Sequence, residues 1–105
     1  MTYEISTTPE GTARLAIRGE LDAVTVSDLR VPIAALVNKQ PPRVEVDLSA
    51  LRVIDSSGVG ALVSLYKRVR AQGGRVILKG LQDQPLAIFQ LLRLDRVMTD
   101  VDPAQ

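Results

Sequence analysis

No histidine and no cysteine occur among the 105 residues, and aromatic side chains make up only 3% of them. Without histidine the chain lacks the commonest general base, the commonest metal ligand and the usual proton acceptor for a catalytic serine. Without cysteine, disulfides and thiolate metal sites are excluded. So few aromatic rings leave no platform on which single-stranded nucleic acid would stack. The thirteen basic and twelve acidic residues form no block of one sign and sum to +1. The clustered basic face of a nucleic-acid-binding domain is therefore missing, and nucleic acid is not an expected partner. No apolar run approaches membrane-spanning length, so direct membrane insertion is not expected, and residues 1–6 lack the basic-then-apolar order of a leader. A cytoplasmic location is the expectation.

What is present suits one domain, residues 1–105, whose core is built from Leu, Val, Ile and Ala, with 46% of residues apolar. Residues 3–7 and 12–18 alternate in character around Thr8-Pro9-Glu10-Gly11 and predict an antiparallel hairpin, with Ala13, Leu15 and Ile17 on one face. Gly19-Glu20-Leu21-Asp22 follows as a loop. Thr25-Val26-Ser27-Asp28 reads as a capping box opening a helix to about Asn38, whose buried stripe is Leu29, Ile33, Leu36 and Val37. Pro32 either kinks that helix or starts its main part, with residues 25–31 as a separate turn. Gln40-Pro41-Pro42 breaks it. Residues 43–48 predict a strand, and Leu51, Val53 and Ile54 lead into a turn. From Ser57 a second helix carries Val59, Leu62, Val63, Tyr66 and Val69 inward and ends at Gly73-Gly74. Residues 75–79 predict a strand buried on both faces, Pro85 falls in the first turn of a third helix, and residues 97–101 predict a short last strand before a frayed end. The fold class is α/β, a mixed sheet with an N-terminal hairpin, then parallel βαβαβ, and helices packed against it.

The chemistry concentrates at Asp55-Ser56-Ser57-Gly58-Val59-Gly60, where a strand turns into a helix N-terminus. A serine nucleophile there lacks both a base and the glycine spacing of a nucleophile elbow, so no catalytic residue is assigned. The Gly-x-Gly of Gly58 and Gly60 continues to Val63, which breaks the dinucleotide fingerprint, and no Walker motif occurs. No cofactor is expected. Glu20, Asp22 and Asp55 carry hard-cation ligands on loops, but loop carboxylates are usually only solvated, and no metal site is assigned. Two readings of the hydroxyl pair stay open. In one, Asp55 or Ser56 caps the helix and Ser57 fills its first turn. In the other, Ser56 is phosphorylated by a partner, where the unpaired N–H groups and helix dipole suit a phosphate.

Those residues, with Gly19-Glu20-Leu21-Asp22, Leu65-Tyr66-Lys67 and Gln72-Gly73-Gly74, resemble in order and spacing the STAS domain of bacterial anti-sigma factor antagonists over nearly the whole chain. The resemblance implies a partner switch. The unmodified domain binds an anti-sigma factor that is also a serine kinase, the kinase phosphorylates Ser56, and a metal-dependent serine phosphatase reverses it. It further implies a docking turn of Asp55, Ser57, Gly58 and Gly60, with Asp22 near the phosphorylated hydroxyl. Two departures from the family stand out: Pro32 inside the first helix, and Arg93 where many members carry glycine. A subunit of a transporter, such as a lipid-transport ATPase complex, or of a stressosome-like assembly is the alternative on the same fold.

Overall fold

The structure is a computed structural model and describes residues 1–98. Its elements run β1 (Thr2–Thr7), β2 (Thr12–Leu21), α1 (Ser27–Asn38), β3 (Arg43–Asp47), β4 (Leu51–Ile54), α2 (Ser56–Ala71), β5 (Arg75–Lys79), α3 (Asp83–Leu91) and α4 (Asp95–Met98). The sheet has the order β1-β2-β3-β5, with β4 joined to β2. β1 and β2 form the antiparallel hairpin, Ile5 opposite Leu15, and β2, β3 and β5 are parallel, with Leu15, Val46 and Leu78 in one row.

Side-chain alternation builds one core. Ala13, Leu15 and Ile17 of β2, Val44 and Val46 of β3 and Val76 and Leu78 of β5 join Leu29, Ile33, Leu36 and Val37 of α1, as the helical spacing predicts. α2 adds Val59, Leu62, Leu65 and Val69, while Val63 and Tyr66 are only partly buried against it. β5 buries residues on both faces, since Ile77 is 2% exposed beside Val76 and Leu78. The opposite face of the sheet centres on Glu45, which meets Arg14 at 3.1 Å, Arg43 at 3.2 Å and Lys79 at 3.5 Å. Partial burial alone would raise the Glu45 carboxyl, but Lys79, Arg43 and Arg14 outweigh it and hold the group below its ordinary range.

Four expectations are corrected. The segment after Arg43 is two strands, because Asp47 Oδ1 accepts the Ser49 N–H at 2.9 Å and Leu51 N–H bonds Leu48 O, turning the chain before β4. β4 then pairs with the C-terminal end of β2, across a register shift at Gly19/Glu20. The capping box is not made: Val26, in helical conformation, precedes α1 with no side-chain cap, and α1 runs from Ser27 through Pro32. The separate-turn alternative for residues 25–31 fails with it, and the carbonyl to which Pro32 cannot donate belongs to exposed Asp28. Val97 and Met98 lie in α4 rather than a last strand. Residues 99–101 of that expected strand lie outside the described residues.

Arg93 does not alter the exit from α3. Leu94 N–H bonds Phe89 O at 2.8 Å and Arg93 N–H bonds Gln90 O at 3.0 Å, a Schellman ending with Arg93 at φ +58°. α2 ends the same way with Gly73 at φ +84°, so Arg93 occupies a glycine conformation without being glycine.

Candidate functional site

β4 delivers the chain to α2 at Asp55, which takes the capping role. Its backbone is extended, and its Oδ1 accepts the Gly58 N–H at 3.0 Å. Asp55 O accepts the Val59 N–H, so among the described residues the first turn's remaining open donors are the N–H groups of Ser56 and Ser57. Ser56 is therefore the first residue of the helix and not its cap. Its side chain is exposed, and among the described residues its hydroxyl has no hydrogen-bond partner. Ser57 is half-buried and faces the cleft between α1 and α2.

The second carboxylate oxygen of Asp55 reaches across the fold. Oδ2 accepts the Ala23 N–H at 3.1 Å, and Asp55 N–H bonds Leu21 O at 3.1 Å, so the loop holding Asp22 is held against the turn that opens α2. Asp22 closes its own loop, its Oδ1 accepting the N–H groups of Thr25 at 2.9 Å and Val24 at 3.0 Å. Thr25 Oγ1 accepts the Asp22 N–H and turns its proton to Glu20 O and Asp22 Oδ1. The Thr25 N–H, above all, holds the Asp22 carboxyl below its ordinary range, helped by the Thr25 hydroxyl and the Val24 N–H against partial desolvation. Asp22 is thus an anion beside the turn but makes no bond to Ser56. Among the described residues no group of three carboxylates gathers as a metal site would require.

The two glycines have opposite surroundings. A Cβ on Gly58 would lie 2.7 Å from Leu21 O and from Ile54 Cγ1, so this buried glycine lets α2 press against β2 and β4. It shapes the turn between β4 and α2 from inside and presents no surface of its own. Gly60 is exposed with nothing within 4 Å of a built Cβ, so the packing of the free domain gives no reason for glycine there.

Gln84 was not legible as part of this site. Its Oε1 accepts the Ile54 N–H and its Nε2 donates to Ile54 O, both at 2.9 Å. The amide acts as a one-residue strand partner for β4 just before Asp55, tying α3 to the turn. Only the three-dimensional fold brings residues thirty positions apart together, and an exposed glutamine early in a helix gives no local signal of it.

A family model for the STAS domain matches residues 5–104. Among curated proteins, the chain is 27% identical over 89 residues to the anti-sigma-B factor antagonist of Bacillus subtilis, covering 85% of this chain and 81% of that one. It is 26% identical over 82 residues to the anti-sigma-B factor antagonist of Listeria monocytogenes, covering 78% and 72%. Among solved structures, an anti-sigma factor antagonist from Mycobacterium paratuberculosis superposes with a TM-score of 0.81 at 26% identity, covering 97% and 85%.

Proposed function

The chain belongs to the STAS domain family, and from that premise we propose that it is an anti-sigma factor antagonist, a binding module without catalytic chemistry of its own. Its partner is an anti-sigma factor with serine kinase activity, and phosphorylation of Ser56 ends the complex. A serine phosphatase restores the binding form. Relatives named anti-sigma-B factor antagonists support an anti-sigma factor as the partner, and among the described residues no helix is long and apolar enough to cross a membrane.

One observation carries the switch: Asp55 caps α2, which leaves the Ser56 hydroxyl exposed and unpartnered at the head of the helix. A phosphate on it breaks no hydrogen bond of the fold and adds a charge of about −1.5 to −2. The open N–H groups of Ser56 and Ser57 and the helix dipole favour that charge, while the carboxylates of Asp55 and Asp22 oppose it. These effects offset one another, so the domain stays folded while its docking surface gains negative charge. The open side of Gly60, one turn along the same helix, leaves room for close approach of partner backbone.

The test is to incubate the purified domain with its cognate kinase and ATP and to compare complex formation before and after. Loss of the complex on phosphorylation, reproduced by Ser56→Asp, is the expected result. A stoichiometric complex with a membrane ATPase that is indifferent to Ser56→Asp would replace this reading with the transporter subunit.

A further inference from the structure

Resting on that reading, we infer that the groove between α1 and α2 is the second half of the partner's footprint and receives an acidic segment of the anti-sigma kinase, held by Arg30 and Arg68. The groove encloses about 370 Å³. Arg30 and Ile33 stand on the α1 wall, and Ser57, Ala61, Ser64 and Arg68 on the α2 wall, at steps of four, three and four residues that place them on one helix face. The small side chains of that face leave space beside the helix for an incoming segment, and an arginine rises from each wall.

Charge chooses the occupant. α2 contains Lys67, Arg68 and Arg70 and no acidic residue. Arg30 and Arg68 are exposed and, among the described residues, have no ion pair or hydrogen-bond partner. Arginines of the sheet face are placed differently: Arg14 and Arg43 reach Glu45, and Arg18 reaches Glu4. A second copy of the chain would bring the same basic groove and meet like charge, whereas an acidic segment supplies the missing counter-ions.

The groove is also continuous with the switch. Ser57 lines it and follows Ser56 directly in the first turn of α2. A phosphate on Ser56 adds negative charge at one end of the groove, where it repels the acidic segment that Arg30 and Arg68 attract. Release of the partner then follows from electrostatics alone, with no change of fold.

Surface plasmon resonance with the kinase that phosphorylates Ser56, run over a salt series, tests this directly. Arg30→Glu with Arg68→Glu is expected to weaken binding about a hundredfold, tenfold for each cross-interface pair, chiefly in the association rate. The salt dependence of the wild type should flatten in this variant. Arg30→Lys with Arg68→Lys keeps the charge and should keep most of the affinity. Urea unfolding of each variant establishes that the fold is intact. Wild-type affinity and salt dependence in the Glu pair overturn the inference, and loss of binding by Ser56→Asp in the same experiment leaves the functional reading standing. Tighter binding by the Glu pair overturns it too, since the groove would then take a basic segment. Sedimentation that finds the free domain self-associating through the groove, and the Glu pair altering that, would assign it to a second copy instead.

Discussion

Replacing Gly58 and Gly60 by alanine, one at a time, separates the glycine that the fold needs from the glycine that the proposed partner needs. At Gly58 the new Cβ would sit 2.7 Å from Leu21 O and Ile54 Cγ1 and 2.9 Å from Leu21 Cγ, against an optimal carbon contact of about 3.5 to 4.0 Å. Leu21 O cannot retreat freely, because it accepts the Asp55 N–H at 3.1 Å, so α2 itself has to move. Overpacking of this kind costs about 1 to 3 kcal/mol, here the upper end because backbone is involved, and the alanine's helix propensity returns about 1. The net expectation for Gly58→Ala is a loss of about 2 kcal/mol, or roughly 8 to 16 °C in melting temperature for a domain of this size. Gly60→Ala meets nothing within 4 Å and should gain about 0.8 to 1 kcal/mol from propensity alone. Calorimetry and urea unfolding measure both. If partner backbone approaches α2 at Gly60, that variant also binds the kinase more weakly despite its greater stability. An unchanged or raised melting temperature for Gly58→Ala would refute the packing argument. A Gly60→Ala domain that binds as tightly as wild type would refute the close approach.

Arg93→Gly should stabilise the domain by about 0.5 to 1 kcal/mol in urea unfolding, since φ +58° at the C-terminal turn of α3 strains any residue with a Cβ. Gln84→Ala removes both bonds to the Ile54 backbone and should cost about 1 to 2 kcal/mol. Amide exchange at Ile54 should speed up more than exchange in the middle of β3. Glu45→Gln tests the ion cluster through pH. The folded carboxyl titrates below its ordinary value of 4.5, so its contribution is complete above that value and is lost as pH falls through the folded one. The wild type should therefore lose stability more steeply than Glu45→Gln below pH 4.5, and parallel acid limbs would contradict the cluster's role.

Elements governed by local periodicity were readable in advance: the hairpin, the α1 stripe of Leu29, Ile33, Leu36 and Val37, and the buried β5. Local pattern misled where a competing short-range bond took the groups instead. Thr25 has the residue type and spacing of a cap, yet its hydroxyl serves the Asp22 loop. Val97 has strand propensity, but α4 begins directly after the Schellman turn at Arg93, where Val97 N–H bonds Leu94 O. At the site, the sequence left Asp55 and Ser56 as competing caps, and only the Gly58 and Ala23 bonds to Asp55 decide between them. Gln84, Arg30 and Arg68 enter through tertiary neighbours, which no window of sequence contains.

In the proposed function Ser56 is a switch because Asp55 frees it from the fold. This is tested most directly by phosphorylating the domain with the cognate kinase, locating the phosphate by mass spectrometry, and measuring affinity and melting temperature of the same sample. The expected result is phosphate on Ser56 alone, a melting temperature close to that of the unmodified domain, and loss of the complex. Phosphate on Ser57, or a phosphorylated Ser56 domain that still binds the kinase as tightly as before, would contradict it.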